Sequence, residues 1–268
     1  MKKIRLDQLV FDLGLTESRE RAKTTIMSGL VFVNGQRVDK PGTTVAPDSQ
    51  IEIHGETLRY VSRGGLKLEK ALTSFDYNPA GLRCIDCGAS TGGFTDCLLQ
   101  NGAEFVYAVD VGYGQLAWKL RGDERVKSME RTNIRYVTEE QIPEKLDLAV
   151  MDLSFISLQL VLPVVRALLK DGADIICLIK PQFEAGKEKV GKKGVVRDPA
   201  VHVEVLHAFL DYAAGAGFTV KGVTFSPVKG PEGNIEYLGW LRCGPGEAVQ
   251  VDADVLVAAS HAELKEKA

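Results

Sequence analysis

The sequence predicts an α/β protein in which a small α+β module precedes a larger domain built on a mostly parallel sheet. Between residues 82 and 243, short apolar runs alternate with amphipathic stretches of helical periodicity. Apolar runs of this kind are typical of parallel strands that are buried on both faces. Residues 1–60 lack this alternation and read instead as two short helices followed by a small sheet. A doubly wound sheet with right-handed crossovers is therefore expected after the module.

Composition limits the classes of protein to which the chain can belong. No segment reaches the roughly 18 uninterrupted apolar residues of a membrane helix, and Asp7 and Gln8 interrupt any apolar signal core. We therefore expect a cytoplasmic protein with no membrane partner. The net charge of −3 argues against a uniformly basic protein but leaves room for a local basic patch. Cys84 and Cys87 lie within one predicted strand without a second pair, so no metal site is expected.

Residues 1–60 carry the signals of a compact binding module. The first helix is predicted to bury Leu6, Leu9, Val10 and Leu13, and to end at Gly14. Thr16 or Ser18 is placed to cap a second helix, whose apolar side would contain Ala22, Ile26 and Met27. Asn34-Gly35, between two short apolar runs, predicts a β-hairpin, and "SQIEIHGETLRYV" supplies a further strand.

This module resembles the RNA-binding domain named after small-subunit ribosomal protein S-four. The matching features are Arg5-Leu-Asp, the Ser18-Arg19 turn and "SGLVFVNGQRV". The resemblance implies that basic side chains of the second helix and the following loop contact RNA phosphates. The residues expected to do so are Arg5, Arg19, Arg21, Lys23, Arg37 and Lys40. The alternative is a solvated helix face on which Glu17, Glu20 and Asp39 balance these charges.

Residues 61–81 read as a linker and the first helix of the larger domain, which spans 82–268. Its predicted strands lie in "LRCIDC", "EFVYAVDV", "LDLAVMDL" and "ADIICLIK", and "ISLQLVLPVVRALLKDG" is predicted to be helical. Asp198-Pro199 begins a well-marked helix that ends in glycines. Two strands without an intervening helix, "GFTVKGVTFSPV" and "NIEYLGWLRC", predict a terminal antiparallel hairpin.

The glycine turn "DCGASTGGF" follows the first strand of this sheet and allows two interpretations. As G-x-S-x-G it would expose Ser90 as the nucleophile of a hydrolase, but no histidine is suitably placed later in the chain. A P-loop lysine and a dinucleotide fingerprint are also missing. A loop for a nucleoside cofactor without a pyrophosphate remains, and Asp110, at the end of the second strand, can accept hydrogen bonds from ribose hydroxyls. S-adenosylmethionine meets these demands.

Charged residues at the ends of apolar strands give the stronger signal. Asp152, Lys180 and Glu236 each lie at or near the end of a different strand, and Lys67 lies in the helix before the sheet. Burial makes isolated charges costly, so we expect these four side chains to share one cleft. A partly desolvated lysine beside a second ammonium has its pKa lowered, which suits a general base.

Six motifs in order identify the larger domain as similar to the TlyA family of ribosomal RNA 2′-O-methyltransferases. They are "SRGGLKL", "DCGASTGGFT", "VYAVDVGYGQL", "MDLSFISL", "LIKPQFE" and "GNIEYLG". The resemblance implies an FtsJ/RrmJ-type, Rossmann-like methyltransferase with a seven-stranded, mostly parallel sheet. It also implies a catalytic tetrad of Lys67, Asp152, Lys180 and Glu236, S-adenosylmethionine as cofactor, and ribose methylation of cytidine in ribosomal RNA, within ribosomal subunits.

Two further groups of residues complete the predicted site. The residues expected to hold the cofactor are Asp86, Gly88, Ala89, Ser90, Thr91, Gly92, Gly93, Phe94, Asp110, Asn133 and Asp152. The residues of the larger domain expected to bind RNA are Arg63, Lys189, Lys192 and Lys193. The last three belong to a glycine-rich basic loop, "EAGKEKVGKKGVVRDP" (residues 184–199), which we expect to be a mobile contact for RNA phosphates or simply a solvated loop.

Two alternative functions remain open at this point. Asp152-Leu-Ser-Phe155 resembles the D-P-P-[YF] loop of amino-methyltransferases, in which the aromatic ring stacks on a flipped base. Relatives of this family have also been described as haemolysins, which suggests a membrane-active protein. The sequence offers that second idea little support, because it contains no strongly amphipathic basic helix.

Overall fold

The computed structural model describes residues 3–16, 18–54 and 59–266. The chain divides into two compact units, residues 1–65 and residues 66–268. The first unit holds β1 (Ile4–Arg5), α1 (Leu6–Asp12), α2 (Arg19–Met27), β2 (Val31–Val33), β3 (Gln36–Arg37), β4 (Thr44–Val45) and β5 (Ile51–Ile53). Strands β1 and β4 pair antiparallel, and β2 lies between β3 and β5 in a second small sheet.

Local sequence explains most of the first unit. The Ser18 side chain caps α2 by accepting from the backbone N–H of Arg21, and Asn34 and Gly35 both have positive φ in the β2–β3 turn. The hairpin and the Ser18 cap are therefore confirmed. Leu13 and Met27, predicted to be part of the apolar helix faces, are instead 52% and 48% exposed. Each lies at the end of its helix, where the helix leaves the core formed by the other predicted apolar residues.

Elements of the larger unit alternate largely as the sequence predicts. Its helices are α3 (Gly64–Ser74, which begins just before the boundary), α4 (Gly93–Gln100), α5 (Trp118–Arg121), α6 (Leu162–Leu168), α7 (Pro181–Glu184), α8 (Pro199–Gly215) and α9 (Ala253–Glu266). Its strands are β6 (Arg83–Cys87), β7 (Phe105–Val109), β8 (Val126–Met129), β9 (Leu146–Met151), β10 (Leu169–Ile179), β11 (Phe218–Phe225) and β12 (Tyr237–Cys243). The Asp198 side chain caps α8, as expected from Asp-Pro.

These strands form one sheet in the order β11-β12-β10-β9-β6-β7-β8. Strands β6 to β10 run parallel, while β12 is antiparallel to both β10 and β11. The seven-stranded sheet with a terminal antiparallel hairpin is thus confirmed within the described residues. Parallel pairing brings the carboxyl ends of β6, β7, β9 and β10 to one edge, which is where ligands bind in such sheets.

Two elements differ from the sequence-based expectation. The helix predicted over "ISLQLVLPVVRALLKDG" is shorter, because the chain becomes extended at Leu169 and pairs with Leu146 of β9. Strand β8 lacks an apolar run, since Lys127 and Ser128 in its middle are exposed. Among the described helices, none combines the length and the apolar character needed to cross a membrane.

Candidate active site

Four charged side chains of the larger unit meet at the carboxyl edge of the sheet. Lys180 follows β10 directly, and its Nζ lies 2.5 Å from Oδ1 of Asp152, which follows β9. Lys67 on α3 places its Nζ 3.4 Å from Oδ2 of the same carboxylate and 2.6 Å from Oε2 of Glu236. The structure therefore brings together all four members of the predicted tetrad, Lys67, Asp152, Lys180 and Glu236.

In this tetrad, burial and the opposite charges of neighbouring groups shift pKa values in opposite directions. Desolvation by itself would lower the pKa of Lys67, but the carboxylates of Asp152 and Glu236 outweigh it and hold that pKa above its ordinary value. Burial likewise opposes the charge of Asp152, yet the two ammonium groups keep its pKa below the usual range. Carboxylates, rather than the second ammonium, therefore determine the direction in which the pKa of Lys67 is shifted.

Loop 153–158, which contains the D-L-S-F motif, is held against α7 and the end of β10. Ser154 Oγ accepts a hydrogen bond from Lys180 Nζ at 3.1 Å. The Glu184 carboxylate accepts from Ser157 Oγ at 2.7 Å and from the backbone N–H of Leu158 at 2.8 Å. Between these attachments, Phe155 is 91% exposed and has a φ of 64°. A strained, exposed aromatic residue beside buried charges is typical of a ligand-binding site.

The glycine turn after β6 has the close backbone approach that the sequence indicates. Gly88 has a φ of 87°, and a Cβ at this position would lie 2.6 Å from the carbonyl oxygen of Asp152. Ser90 donates its backbone N–H to Oδ2 of Asp110, and its Oγ lies 3.2 Å from the Gln115 side chain. This surrounding does not activate Ser90 as a nucleophile. Gly112 N–H binds the other Asp110 oxygen at 2.7 Å, so the carboxylate is fixed in place.

Asp86, next to the last residue of β6, carries a fully buried carboxyl group. Its Oδ2 accepts from the backbone and the hydroxyl of Thr95, at 3.0 and 2.7 Å. Its Oδ1 is buried and has no hydrogen-bond partner among the described residues. Burial, with smaller contributions from Asp152 and Asp110, raises the pKa of Asp86 to about 7 despite the opposing Thr95 hydrogen bonds. A cationic or hydrogen-donating ligand group would give Oδ1 of Asp86 the partner that it lacks.

A cleft of about 510 Å³ opens beside these groups. The predicted cofactor residues that line it are Gly88, Ser90, Asp110, Asn133 and Asp152. The Asn133 side chain accepts from the backbone N–H of Arg135, so its amide nitrogen remains for a ligand. Residues that the sequence did not single out also line the cleft, among them Gln115, Thr132 and Ile134.

The other predicted cofactor residues are not among the described residues that line the cleft. They are Asp86, Ala89, Thr91, Gly92, Gly93 and Phe94. Phe94 is buried in α4, and a Cβ on Gly92 would lie 2.3 Å from the Leu120 side chain. Apart from Asp86, which lies in β6, these residues belong to the turn and the start of α4. The sequence pattern G-A-S-T-G-G does not by itself distinguish residues that line the cleft from residues that only form the turn.

The predicted RNA-binding residues of the first unit are on its surface, and several have acidic neighbours. Arg5 and Arg19 both contact the carboxylate of Asp7. Lys23 pairs with Glu20 at 3.1 Å, so the balanced helix face considered from the sequence applies to Lys23. Arg21, Arg37 and Arg63 are half-buried or exposed, and the Arg37 guanidinium packs across Gly29.

The basic loop is more firmly attached than its glycines suggest. Asn234 accepts from the backbone N–H of Val196 and donates to the carbonyl of Gly194, at 3.0 and 2.9 Å. Lys189 pairs with Glu204 of α8. Lys192 and Lys193 lie on the exposed part of the loop. Asn234 is two residues before Glu236, so one short segment carries both a loop contact and a tetrad member.

Sequence reasoning missed an aromatic and arginine surface close to the cleft. Tyr113 is 69% exposed, and the Arg131 guanidinium lies 4.3 Å from its ring centroid. Tyr136 is 70% exposed beside Arg135. Exposed rings paired with guanidinium groups are suited to stacking on unpaired bases. Helix α5 and strand β8 lie between Tyr113 and Arg131 in the chain, so only the fold reveals this pair.

Comparisons with known proteins agree with this geometry. The model of the FtsJ-like methyltransferase family matches residues 60–243, and the model of the S4 domain matches residues 4–51. A provisionally named rRNA methyltransferase of Bacillus subtilis, YqxC, is 53% identical over 99% of this chain and 97% of its own length. The 16S/23S rRNA (cytidine-2′-O)-methyltransferase TlyA of Mycobacterium tuberculosis is 47% identical over 90% of each chain. A solved structure of a provisionally named haemolysin from Streptococcus thermophilus is 48% identical, with a TM-score of 0.80 and coverage of 100% and 98%.

Proposed function

The chain belongs to the FtsJ-like methyltransferase family and to its TlyA group, and from this premise we propose that it methylates a ribose 2′-hydroxyl of cytidine in ribosomal RNA. The observation that carries the proposal is the tetrad, in which two buried lysines flank one carboxylate at the edge of the cleft. A hydroxyl nucleophile has to lose a proton, and this tetrad places an amine where such a proton can be accepted.

The cleft suits S-adenosylmethionine in three respects. Gly88 permits close approach of the backbone, the fixed carboxylate of Asp110 is placed to accept from ribose hydroxyls, and the unpartnered Asp86 oxygen suits the positively charged methionine part. When bound, the cofactor supplies a methyl group that its sulfonium makes electrophilic. No pyrophosphate has to be accommodated, in agreement with serine at position 90 of the turn.

The two lysines have different roles in this proposal. Lys67 contacts two carboxylates and keeps a raised pKa, so it stays a fixed cation that helps to hold the target ribose with Glu236. Lys180 contacts one carboxylate oxygen and the Ser154 hydroxyl, and we assign to it the acceptance of the 2′-hydroxyl proton. Asp152 orients Lys180 and stabilises the ammonium that results.

RNA binding is assigned to both units. In the first unit we assign phosphate contacts to Arg5, Arg19, Arg21, Lys23 and Arg37; in addition, we assign them to Arg63 near the end of the first unit and, in the second unit, to the basic loop with Lys189, Lys192 and Lys193. The Tyr113–Arg131 pair beside the cleft is suited to an unpaired base near the target nucleotide. Because these surfaces suit folded RNA with exposed bases, we propose ribosomal RNA within ribosomal subunits as the substrate.

A base amino-methyltransferase is the enzymatic alternative, since exposed Phe155 would also suit stacking on a flipped base. That chemistry does not require the two buried lysines. The decisive experiment offers the enzyme radiolabelled S-adenosylmethionine together with subunits whose target cytidine already carries a 2′-O-methyl group. We expect no label transfer to these subunits and normal transfer to unmodified ones. Equal transfer to both would show that the methyl group is placed on a base.

A further inference from the structure

Two surface arginines of the first unit share one buried carboxylate. Arg5 contacts Asp7 side-on, from Nε to Oδ1 and from Nη2 to Oδ2, both at 3.0 Å. Arg19 approaches from the start of α2, with Nη2 3.4 Å from Oδ1 and 3.3 Å from Oδ2. The side chains of Arg5 and Arg19 are 50% and 43% exposed, whereas that of Asp7 is 0% exposed.

This arrangement holds two guanidinium groups close together with their outer edges free to face solvent. Within the described residues, Arg5 Nη1 and the Nε and Nη1 of Arg19 make no hydrogen bond to the protein, so both groups keep donors for a ligand. Burial alone would raise the pKa of Asp7, but the two guanidinium groups hold it below its ordinary value. The carboxylate therefore stays charged and keeps both side chains in place.

We propose that Asp7 is a positioning residue that preorganises Arg5 and Arg19 into a two-pronged site for one RNA backbone phosphate. Long arginine side chains lose rotamer freedom when they bind, and an internal carboxylate removes much of that loss beforehand. The proposal rests on the proposed RNA-binding function of the first unit. Asp7 cannot touch the RNA itself, because its side chain is fully buried.

A charge effect and a positioning effect of Asp7 predict opposite changes in RNA affinity for the substitution Asp7→Asn. Asp7→Asn removes a negative charge, and simple attraction between protein and phosphate would then strengthen RNA binding. Positioning predicts the reverse, because an amide has one acceptor oxygen and its nitrogen hydrogens face the guanidinium groups. The sign of the change thus separates the two explanations.

The experiment measures binding of the full chain to purified ribosomal subunits that lack the modification, at fixed salt. We expect Asp7→Asn to weaken binding by roughly fivefold, the scale of a lost charge-assisted contact. The matched control is Asp48→Asn, which makes the same change of charge at an exposed carboxylate of the same unit and should leave binding unchanged or slightly tighter. A well-folded Asp7→Asn protein that binds as tightly as the wild type would overturn the proposal.

Two further measurements keep the test decisive if Asp7→Asn lowers stability. Arg19→Lys keeps the charge but removes the guanidinium fork, and should weaken binding to a similar degree; wild-type affinity would count against the proposal. In a double-mutant cycle, Arg19→Gln should cost much less in the Asp7→Asn background. Strictly additive losses would mean that Asp7 does not act through Arg19.

The methylation kinetics separate positioning from a general structural defect. Because all tetrad residues belong to the second unit, Asp7→Asn should raise KM for subunits and leave kcat at saturation unchanged. If Arg5→Gln and Arg19→Gln weaken binding and Asp7→Asn does not, only the role of Asp7 is wrong. If neither arginine substitution affects binding, the proposed RNA-binding function of this surface fails instead.

Discussion

The two oxygens of Asp152 are divided between two lysines, with Lys180 Nζ 2.5 Å from Oδ1 and Lys67 Nζ 3.4 Å from Oδ2. The lysines differ in their remaining contacts, because Lys67 also binds Glu236 while Lys180 binds the Ser154 hydroxyl. One carboxylate thus connects a lysine that two carboxylates hold as a cation with a lysine that has a single carboxylate partner. This asymmetry is the basis for assigning proton transfer to Lys180.

Replacing the amine of Lys180 should remove catalysis and spare cofactor binding. Lys180→Met should lower the methylation rate by about 10²–10⁴-fold, the usual contribution of a general base. The affinity for S-adenosylmethionine, measured by calorimetry, should change little, since the amine faces the tetrad. Lys170→Met is the matched control, because Lys170 lies near the opposite end of β10. Normal turnover by the Lys180 variant would refute its role.

Asp86 should make stability depend on pH in the cofactor-free protein. Its pKa is raised from 3.8 to about 7, so the folded state holds this proton more tightly, and the wild type loses stability as the pH rises between these values. Asp86→Asn removes the cost of the buried charge and should stabilise the protein by about 1–3 kcal/mol at pH 8. The difference in stability between the Asp86→Asn protein and the wild type should shrink towards pH 4.

Thermal unfolding across this pH range tests the prediction for Asp86. Asp211→Asn, at an exposed position of α8, controls for the general effect of removing a carboxylate. The Asp86 variant should also bind S-adenosylmethionine more weakly, because the unpartnered oxygen contributes its charge to that site. Parallel stability curves for the wild type and the Asp86 variant would show that Asp86 does not titrate in this range.

Gly88→Ala should destroy the cofactor cleft through a steric clash. The added Cβ would lie 2.6 Å from the Asp152 carbonyl at a φ of 87°, so the turn or the end of β9 has to move. We expect the affinity for S-adenosylmethionine to fall by at least about tenfold, or about 1.4 kcal/mol. Gly172→Ala also has a positive φ, 75°, but meets nothing within 4 Å, and it should leave binding intact. If both variants lost the same affinity for S-adenosylmethionine, backbone strain alone would explain the effect and the steric clash would not be needed.

The basic loop should contribute a salt-dependent part of RNA affinity. Lys192→Gln and Lys193→Gln should each reduce the slope of log affinity against log salt by about one. Lys170→Gln, at the other end of the sheet, should leave the slope unchanged. Filter binding to subunits at several salt concentrations measures these slopes. Identical slopes for all variants would show that the loop is only solvated.

Much of the fold and the tetrad followed from the sequence, because apolar parallel strands make charged residues stand out where they end. Asp152 and Lys180 each terminate an apolar run, and sheet topology then requires them to be neighbours. Strand β8 escaped prediction because its middle residues, Lys127 and Ser128, are exposed at the sheet edge. Its pairing with β7 comes from tertiary structure rather than local pattern.

Interactions between distant residues were beyond reach of sequence reasoning. The raised pKa of Lys67 depends on Asp152 and Glu236, which lie 85 and 169 positions later in the chain. The half-buried carboxylate of Glu184 accepts hydrogen bonds from Ser157 and Leu158, 27 and 26 positions earlier in the chain. Asp7 reads as an ordinary helix-start acid, and only its contact with Arg19 reveals a shared site.

Mass spectrometry of nucleosides shows directly whether a ribose or a base is methylated, and whether the methylation requires Lys180. Subunits lacking the modification are incubated with S-adenosylmethionine and either the wild-type protein or Lys180→Met, and their RNA is digested to nucleosides. We expect 2′-O-methylcytidine from the wild-type reaction and none from the variant. A methyl group on a base, or equal 2′-O-methylcytidine from both proteins, would contradict it.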